Sequence, residues 1–322
     1  MRLIPAQIIG TGHYTPEKEV DNKELAIKLG VSEDWIFSRT GIKSRYICSD
    51  LETTSEIALY AALDAIDEAN ITPEEIDLII VCTLSPDMLC PATACKLQDE
   101  LKAVNAACFD LEAACAGFIF GLSTAYQYIA TGMYKTILVV GADLLSRFTD
   151  YSNKSTCILF GDGAGAAVVK ASDENSFLSF SLGSDGSMRD LIYIPSSGVD
   201  LSGEPPFLTL KGKEVFKWAV NKVPQVMLET IEKAGLTLDD INYFIIHQAN
   251  QRITNAIINK LQLPICKVLS NIEDYGNTSA ASVPILLSQA IKKGRFKKGN
   301  KILLVGFGGG ISWGTSLIEW QL

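Results

Sequence analysis

The chain of 322 residues repeats one pattern of elements at a fixed spacing. The segment AIDEANITPEEIDLIIVCT at 65–83 matches TIEKAGLTLDDINYFIIHQ at 230–248, an offset of 165 residues. Further along, IATGMYKTILVVGADLL at 129–145 matches IKKGRFKKGNKILLVGFGGG at 291–310, and FDLEAACAG and SNIEDYGNT occupy the same place between these matches. The duplication predicts two copies of one unit, in the order helix, strand, helix, strand, buried helix, strand.

Several strands of this pattern are continuous apolar runs, among them DLIIVCT at 77–83, KTILVV at 135–140 and KILLVG at 301–306. Such runs are typical of strands that are covered on both faces, and helices between them favour α/β layering with right-handed crossovers. Two packed units predict an α/β helix–sheet–helix–sheet–helix sandwich whose middle layer holds both buried helices. We expect two halves, residues 1–172 and 173–322, that meet at the DENS segment.

The stretch FDLEAACAGFIFGLSTAYQYIATG at 109–132 contains the first candidate functional residue. Residues 109–111 predict a strand end, and residues 117–130 are apolar on nearly every side, which is typical of a buried helix. Cys115 lies where this helix begins, among small neighbours that leave its sulfur approachable. The partial positive charge of a helix N-terminus favours the thiolate, the nucleophilic form of cysteine. The alternative is that Cys115 is a small core residue.

The second copy carries two further polar candidates, His247 and Asn277. His247 follows the apolar run YFII, so it lies where a buried strand emerges, and open α/β sheets bind ligands at the carboxyl ends of strands. Asn277 lies in the loop that follows in the same copy. The chain has two histidines, His13 and His247, and a single histidine is often only a hydrogen-bonded structural residue. The matched repeat positions of Cys115, His247 and Asn277 favour a shared catalytic site.

Two glycine-rich segments, GDGAGAAVV at 161–169 and GFGGGISWG at 306–314, could be taken for dinucleotide-binding loops. Neither precedes a helix with periodic apolar residues, because the first leads into a strand and the second continues as ISWGTSLIEW, which alternates like a strand. Neither contains the Gly-Lys-Ser/Thr of a P-loop. The consecutive glycines at 308–310 let the backbone approach closely, so we expect exposed N–H groups near the thiol, as in an oxyanion hole.

Composition limits the remaining possibilities. The net charge of −9 argues against a nucleic-acid-binding surface, and no apolar run is long enough to cross a bilayer. The eight cysteines show neither a CxxC pair nor a framework spacing, which predicts reduced thiols in a cytoplasmic protein and no metal site. Charge is uneven along the chain, since residues 1–170 carry a net −10 and residues 171–322 carry +1.

Six motifs in this order resemble one known family. They are DWIFSRTGI (34–42), CAGF (115–118), GKEVFKWAV (212–220), HQANQRI (247–253), GNTSAASVP (276–284) and GFGGGISWG (306–314). Together they resemble β-ketoacyl-acyl-carrier-protein synthase III of the thiolase superfamily, essentially from Ile8 to Trp320. The resemblance implies a thiolase-like duplicated five-layered α-β-α-β-α sandwich and a homodimer. It also implies an acyltransferase that condenses an acyl-CoA primer with malonyl-acyl carrier protein, giving the 3-oxoacyl-acyl carrier protein that begins fatty-acid synthesis.

The resemblance further implies a role for each matching residue. Cys115 is the acylated nucleophile, His247 and Asn277 bind the malonyl thioester oxygen, and the backbone N–H groups of Cys115 and Gly309 hold the oxyanion. Neither a metal nor a resident cofactor takes part, because acyl-CoA and malonyl-acyl carrier protein are substrates. CoA is bound by Trp35, Arg39, Lys154, Gly212, Lys213 and Arg252, and the acyl carrier protein docks on Lys213, Lys217, Arg252 and Lys260.

Two positions depart from the pattern of many family members. Lys154 stands where many have an arginine against the adenine, and a lysine has no planar guanidinium to stack. Cys90 stands where many acetyl-using members have a phenylalanine, on a loop of the partner subunit that caps the acyl pocket. The smaller side chain predicts room for primers longer than acetyl, unless Met88, Leu89 or another side chain fills the gap.

Three alternatives stay open on the sequence. The nearest is a related thiolase-superfamily acyltransferase or condensing enzyme of secondary metabolism, which the catalytic residues do not distinguish. A Cys/His/Asn hydrolase of the papain type has no place for the duplication, and its local motifs do not transfer. A non-catalytic binding module is disfavoured because all three reactive groups are retained.

Overall fold

Two five-stranded sheets account for the duplicated sequence pattern. A computed structural model of the chain describes residues 3–195 and 206–322. The strands of the first half are β1 (Ala6–Tyr14), β2 (Lys18–Asp21), β3 (Ser44–Ile47), β4 (Leu78–Cys82), β5 (Ala107–Leu111), β6 (Thr136–Asp143) and β7 (Gly163–Ala171). Those of the second half are β8 (Phe177–Ser184), β9 (Ile192–Tyr193), β10 (Thr209–Leu210), β11 (Tyr243–Ile246), β12 (Val268–Leu269), β13 (Lys301–Gly308) and β14 (Ser312–Glu319).

The helices follow the same division of the chain. The first half contains α1 (Asn22–Leu29), α2 (Glu33–Thr40), α3 (Thr54–Ala69), α4 (Thr93–Leu101) and α5 (Gly117–Ala130). The second half contains α6 (Gly212–Lys233), α7 (Gln251–Leu261), α8 (Ile272–Tyr275) and α9 (Ser282–Lys292). The expected buried helix therefore has the predicted bounds, and both glycine-rich segments lead into strands, β7 and β14, as the sequence predicts.

The two sheets have the same topology. Their strand orders are β1-β7-β6-β4-β5 and β8-β14-β13-β11-β12. In the first sheet β4 pairs in parallel with β5 and β6, whereas β7 pairs antiparallel with β1 and β6. In the second, β11 pairs in parallel with β12 and β13, whereas β14 pairs antiparallel with β13 and β8. Each strand of one sheet thus has a counterpart in the other, which confirms the duplication.

Helices lie outside and between the sheets, and the result is five layers. α3 packs on β1, β6 and β7, and α4 packs on β4 and β5, while α6 packs on β8, β13 and β14. α5 and α9 each contact strands of both sheets, so they form the middle layer. Because they are covered from both sides, their apolar side chains are almost fully buried, as at Phe118, Leu122 and Leu287. The predicted sandwich is confirmed.

The first sheet ends with β7 at Ala171 and the second begins with β8 at Phe177, so residues 172–176 join the sheets. The division into halves 1–172 and 173–322 stays a prediction, and residues 1, 2 and 196–205 of those halves lie outside the described residues. α9 of the second half packs on β1 and β7 of the first, so the halves share a core. All eight cysteines are free thiols. Among the described residues, no helix has the length and apolar character that crossing a membrane requires.

Candidate active site

A cavity of about 730 Å³ connects the surface with the interface between the two halves. Its walls combine both predicted groups of residues, the reactive ones and all six of the CoA-binding ones. The predicted residues that line it are Trp35, Arg39, Cys115, Lys154, Gly212, Lys213, His247, Arg252, Asn277 and Gly309. The structure therefore brings together residues that are far apart in the sequence.

Cys115 lies at the inner end of this cavity, in a short turn between β5 and α5. The preceding Ala114 has a φ of 45°, a left-handed conformation that turns the chain sharply before the helix. The Cys115 sulfur accepts a hydrogen bond from the Ser279 hydroxyl at 3.3 Å. The protein surrounds the sulfur closely, and this burial raises the pKa of the thiol to about 12. The expectation of a resting thiolate is therefore wrong, because desolvation outweighs the small stabilisation that a helix N-terminus provides.

The corner between β13 and β14 packs directly against Cys115. A methyl group on Gly308 would lie 2.8 Å from the Cys115 Cβ and 3.0 Å from its sulfur, so only glycine fits there. The next residue, Gly309, lines the cavity and lies against Ala114. The close approach that the glycine run predicts is thus present at the sulfur.

His247 follows β11 and lies at the carboxyl end of the second sheet. Its N–H donates to the carbonyl oxygen of Val305 at 2.7 Å, which continues the pairing with β13. His247 is 2% exposed, and its Nδ1 is 2.6 Å from the Ser282 hydroxyl. Burial lowers the pKa of His247 to about 3, so the ring is neutral at neutral pH. The edge of the ring packs against Phe307, with the ring centroids 5.3 Å apart.

Asn277 lies in the loop that precedes α9. Its Oδ1 accepts a hydrogen bond from the Ser279 N–H at 2.9 Å, so the orientation of the amide is set by the backbone. The Asn277 N–H donates to Leu159, and its carbonyl oxygen accepts from Gly161, which fixes the loop against the segment before β7. With Oδ1 engaged in this way, Nδ2 remains as a hydrogen-bond donor beside the cavity.

Sequence reasoning missed three polar side chains behind these groups, Ser279, Ser282 and Asp143. Ser279 contacts the sulfur, Ser282 contacts the imidazole, and Asp143 at the end of β6 is fully buried. The two serines belong to the motif GNTSAASVP, but serine is common and nothing in the motif distinguishes their roles. The position of Asp143 after a continuous apolar strand was the available signal.

The outer part of the cavity carries aromatic and basic groups. The Arg39 guanidinium lies over the Trp35 ring, 4.2 Å from its centroid, an intramolecular stack that the sequence did not reveal. Gly212 and Lys213 form the first turn of α6, and Arg252 lies in the first turn of α7. Both helix N-termini therefore face the same opening as Lys154.

The remaining predicted residues lie outside the cavity. Lys217 is exposed one turn further along α6, and Lys260 lies at the end of α7, where its ammonium donates to Val220 and Asn221 of α6. Cys90 is exposed on the loop before α4 and does not line the cavity of its own subunit. Within residues 3–195 and 206–322, no group of three or more His, Cys, Asp or Glu side chains could hold a metal ion.

Two family models match the chain. The model for 3-oxoacyl-(acyl-carrier-protein) synthase III matches residues 109–186, which contain Cys115, and its C-terminal counterpart matches residues 231–320, which contain His247 and Asn277. A relative from Clostridium acetobutylicum named beta-ketoacyl-(acyl-carrier-protein) synthase III is 48% identical over 320 residues, which is 98% of each chain. The chain belongs to the 3-oxoacyl-(acyl-carrier-protein) synthase III family. Since 3-oxoacyl and β-ketoacyl denote the same group, this confirms the resemblance.

Solved structures of the family share the fold. The synthase III of Aquifex aeolicus superposes with a TM-score of 0.93 at 44% identity, covering 98% of this chain and 100% of that one. The priming β-ketosynthase of the R1128 polyketide pathway superposes with a TM-score of 0.95 at 37% identity, covering 99% and 97%. The chain is thus similar along its length to a solved synthase III and to a solved priming β-ketosynthase.

Proposed function

We propose that the protein joins an acyl group from acyl-CoA to malonyl-acyl carrier protein with loss of carbon dioxide, in the first condensation of fatty-acid synthesis. One observation carries this proposal. A single cavity connects a basic and aromatic entrance with a thiol, a neutral imidazole and a carboxamide at its inner end. Thiol, imidazole and carboxamide are the groups that acyl transfer and decarboxylation need, and the mechanism calls for no metal or resident cofactor.

In the first half-reaction, the Cys115 sulfur attacks the thioester carbonyl of acyl-CoA. The carbonyl oxygen becomes an oxyanion, and the N–H groups of Cys115 and Gly309 donate to it. Preorganised donors of this kind each contribute roughly a hundred- to a thousandfold in rate. CoA leaves, and the acyl group stays on Cys115 as a thioester.

In the second half-reaction, His247 Nε2–H and Asn277 Nδ2–H donate to the thioester oxygen of malonyl-acyl carrier protein. Loss of carbon dioxide leaves an enolate, whose charge these donors stabilise, and its carbon attacks the acyl group and expels Cys115. His247 can donate from Nε2 only if Nδ1 carries no proton. The Ser282 hydroxyl, at 2.6 Å from Nδ1, is the donor that supports this tautomer.

The test follows acylation and decarboxylation separately. After incubation with acyl-CoA, we expect the acyl mass on the Cys115 peptide, and Cys115→Ser should abolish it, whereas Cys266→Ser, at an exposed thiol outside the cavity, should not. His247→Ala and Asn277→Ala should still become acylated but release little carbon dioxide from malonyl-acyl carrier protein. Full condensation by Cys115→Ser, or equal loss of both half-reactions in the other variants, would contradict the mechanism.

Substrate recognition uses the entrance of the cavity. Trp35 offers a ring face to the adenine, and Arg39, Lys154, Lys213 and Arg252 offer positive charge to the phosphates. The open space at Gly212, where a methyl group would meet no atom within 4 Å, lets phosphate approach the N-terminus of α6. The acyl carrier protein, an acidic partner in this pathway, docks on Lys213, Lys217, Arg252 and Lys260.

We also infer a homodimer that works in the cytoplasm. β5 is an edge strand of the first sheet, and an edge presents unpaired backbone groups to a second copy. Leu89 on the adjacent loop is 83% exposed, which suits a contact with a partner. Eight free thiols suit a reducing compartment. Sedimentation analysis should give twice the chain mass, and a monomer at micromolar concentration would contradict the dimer.

The alternative, a condensing enzyme of secondary metabolism, is not favoured. Curated relatives that match 98–100% of the chain at 42–48% identity, such as those from Clostridium acetobutylicum, Trichodesmium erythraeum and Desulfitobacterium hafniense, carry the synthase III name. The polyketide priming enzyme is less similar in sequence, at 37% identity.

A further inference from the structure

Asp143 is a fully buried carboxylate behind the nucleophile, and the mechanism above gives it no role. Its Oδ1 accepts hydrogen bonds from the Thr83 hydroxyl, the Leu84 N–H and the Ser85 hydroxyl at 3.0, 2.9 and 3.0 Å. Its Oδ2 faces the other way and accepts from the Ala280 N–H at 3.2 Å. One oxygen is therefore saturated by the loop after β4, while the other faces the turn that carries Ser279.

Ser279 connects this carboxylate with the nucleophile. Its hydroxyl lies 3.3 Å from the Cys115 sulfur, and its interaction with the Asp143 carboxylate lowers the pKa of Asp143. Ser279 itself is fully buried and has a φ of 52°, a left-handed conformation that a serine adopts only when its surroundings require it. The Asn277 side chain accepts from the Ser279 N–H and Asp143 accepts from the Ala280 N–H, so the turn that carries the hydroxyl is held between the nucleophile and the carboxylate.

The chemistry leaves a proton without an acceptor. At neutral pH, Cys115 is a thiol and must lose its proton as it attacks, because burial holds its pKa high. His247 donates from Nε2 in the second half-reaction, and in that tautomer Nε2 already carries a proton while the Nδ1 lone pair accepts from the Ser282 hydroxyl. Burial raises the pKa of Asp143, so its carboxylate can take up a proton more readily than an exposed one.

We propose that Ser279 and Asp143 form a proton relay for Cys115. As Sγ attacks the acyl-CoA carbonyl, its proton passes to Ser279 Oγ while the Ser279 proton passes to Asp143 Oδ2. The S–C bond to CoA breaks, and the CoA thiolate takes a proton from solvent. The acyl-enzyme therefore carries a neutral carboxylic acid at Asp143.

The relay runs backwards in the condensation step. The enolate carbon bonds to the acyl carbon, the bond to Cys115 breaks, and the departing thiolate regains its proton from Asp143 through Ser279. The net reaction consumes one proton, the one that CoA takes from solvent, and the relay ends as it began. Ser279 acts as a catalytic residue because it touches the reacting sulfur, whereas Asp143 is a positioning residue that acts through it.

This inference rests on the proposed acylation of Cys115, so the experiment first confirms the acyl mass on Cys115 and then records an infrared difference spectrum of acyl-enzyme minus free enzyme. We expect a new protonated-carboxyl band in the native protein, distinguished from the thioester by a ¹³C-labelled acyl group. Asp143→Asn and Ser279→Ala should lack the band. An acylated native enzyme without it would overturn the relay, whereas a native enzyme without acyl mass would overturn the proposed function instead.

The rate of single-turnover acylation provides the second readout. Asp143→Asn keeps the shape of the side chain but cannot take up the proton, so acylation should slow by about a hundredfold or more. The remaining acylation rate should be proportional to the hydroxide concentration. Around Asp143, the ionisable groups that its charge influences are the thiols of Cys82 and Cys115. Neither should titrate below neutral pH, because burial raises both pKa values. Acylation by Asp143→Asn at the native rate and pH profile would contradict the relay.

Asp162→Asn is the matched control. Asp162 is also a buried carboxylate, and it accepts from the Cys48 N–H and from the N–H and hydroxyl of Ser146. It does not line the cavity. The substitution should lower thermal stability while the acyl-enzyme retains the carboxyl band and the acylation pH profile. If Asp162→Asn also lacked the carboxyl band, its loss in Asp143→Asn would be explained by a general effect on folding, and the relay would be overturned.

Discussion

At the scale of single residues, the buried neutral state of His247 makes folding depend on pH. The pKa of an unfolded histidine is about 6.5, and burial lowers that of His247 to about 3. Below pH 6.5 the unfolded chain therefore binds a proton that the folded protein excludes, so stability falls with acidification. Each pH unit in this interval costs about 1.4 kcal/mol for one such group.

We predict that His247 alone removes about 2 kcal/mol of unfolding free energy between pH 7 and pH 5. The unfolding free energy of His247→Gln should fall by about 2 kcal/mol less than that of the native protein over the same interval, because glutamine does not titrate. Urea unfolding of both proteins at the two pH values measures the difference. His13, whose pKa burial also lowers, contributes equally to both proteins. Identical losses in the two proteins would show that folding does not lower the pKa of His247.

The sequence predicted which reactive residues meet, but not how their neighbours set their chemistry. Cys115, His247 and Asn277 were found because cysteine at a helix start and polar groups after apolar strands are rare patterns. Ser279, Ser282 and Asp143 act only through three-dimensional contacts. The expectation of a thiolate at Cys115 was wrong for the same reason, since burial is a property of the folded molecule.

At the scale of elements, the corner between β13 and β14 limits the space around the nucleophile. A methyl group at Gly308 would meet the Cys115 N, Cβ and Sγ within 3.0 Å, and two of these atoms cannot move freely. Gly308→Ala should therefore displace Cys115 and lower acylation by about tenfold or more, with a stability cost of about 1–3 kcal/mol. Gly186→Ala, where a methyl group meets nothing within 4 Å, should acylate normally. Stopped-flow measurement compares the acylation rates of the two variants. Native-like acylation by Gly308→Ala would show that the corner between β13 and β14 shifts to accommodate the methyl group.

The helices α6 and α7 present a second property that belongs to whole elements. They pack together, begin at the cavity entrance and carry Lys213, Lys217, Arg252 and Lys260. Arg252→Glu should raise the Michaelis constant for malonyl-acyl carrier protein much more than that for acyl-CoA, and salt should reduce the effect. Lys293→Glu makes the same charge change at an exposed position of the second half and should alter neither constant. Equal effects of Arg252→Glu on both substrates would argue against a docking surface.

The types and order of the elements were predictable because the repeat shows the sequence pattern of each strand and helix twice, so one copy can be checked against the other. The apolar runs at 135–140 and 301–306 became the central strands β6 and β13, and the alternation after Gly310 identified β14 as a strand. The stacking of Arg39 on Trp35 was not predictable, since the spacing of four residues allows it but many such pairs point apart.

At the scale of the whole molecule, the length of the acyl pocket depends on assembly. Cys90 is exposed and does not line the cavity of its own subunit, so it can limit the pocket only of a partner subunit. If it does, the native dimer should prefer butyryl- or hexanoyl-CoA to acetyl-CoA, and Cys90→Phe should restore the preference for acetyl. Each methylene that finds an apolar wall contributes roughly 1 kcal/mol. Specificity constants for the primer series test this, and Cys95→Phe, at a nearby exposed cysteine, is the control. A strong native preference for acetyl-CoA would contradict an open pocket.

The connection between the two sheets is a position at which the chain could be divided into two fragments. Asp173 and Glu174 are exposed between β7 and β8, and a break between them interrupts no strand. The nucleophile would then belong to one fragment, while the imidazole and the carboxamide would belong to the other. Because α9 of the second fragment completes the core of the first, we expect neither piece to be active alone and the co-expressed pair to regain activity by complementation.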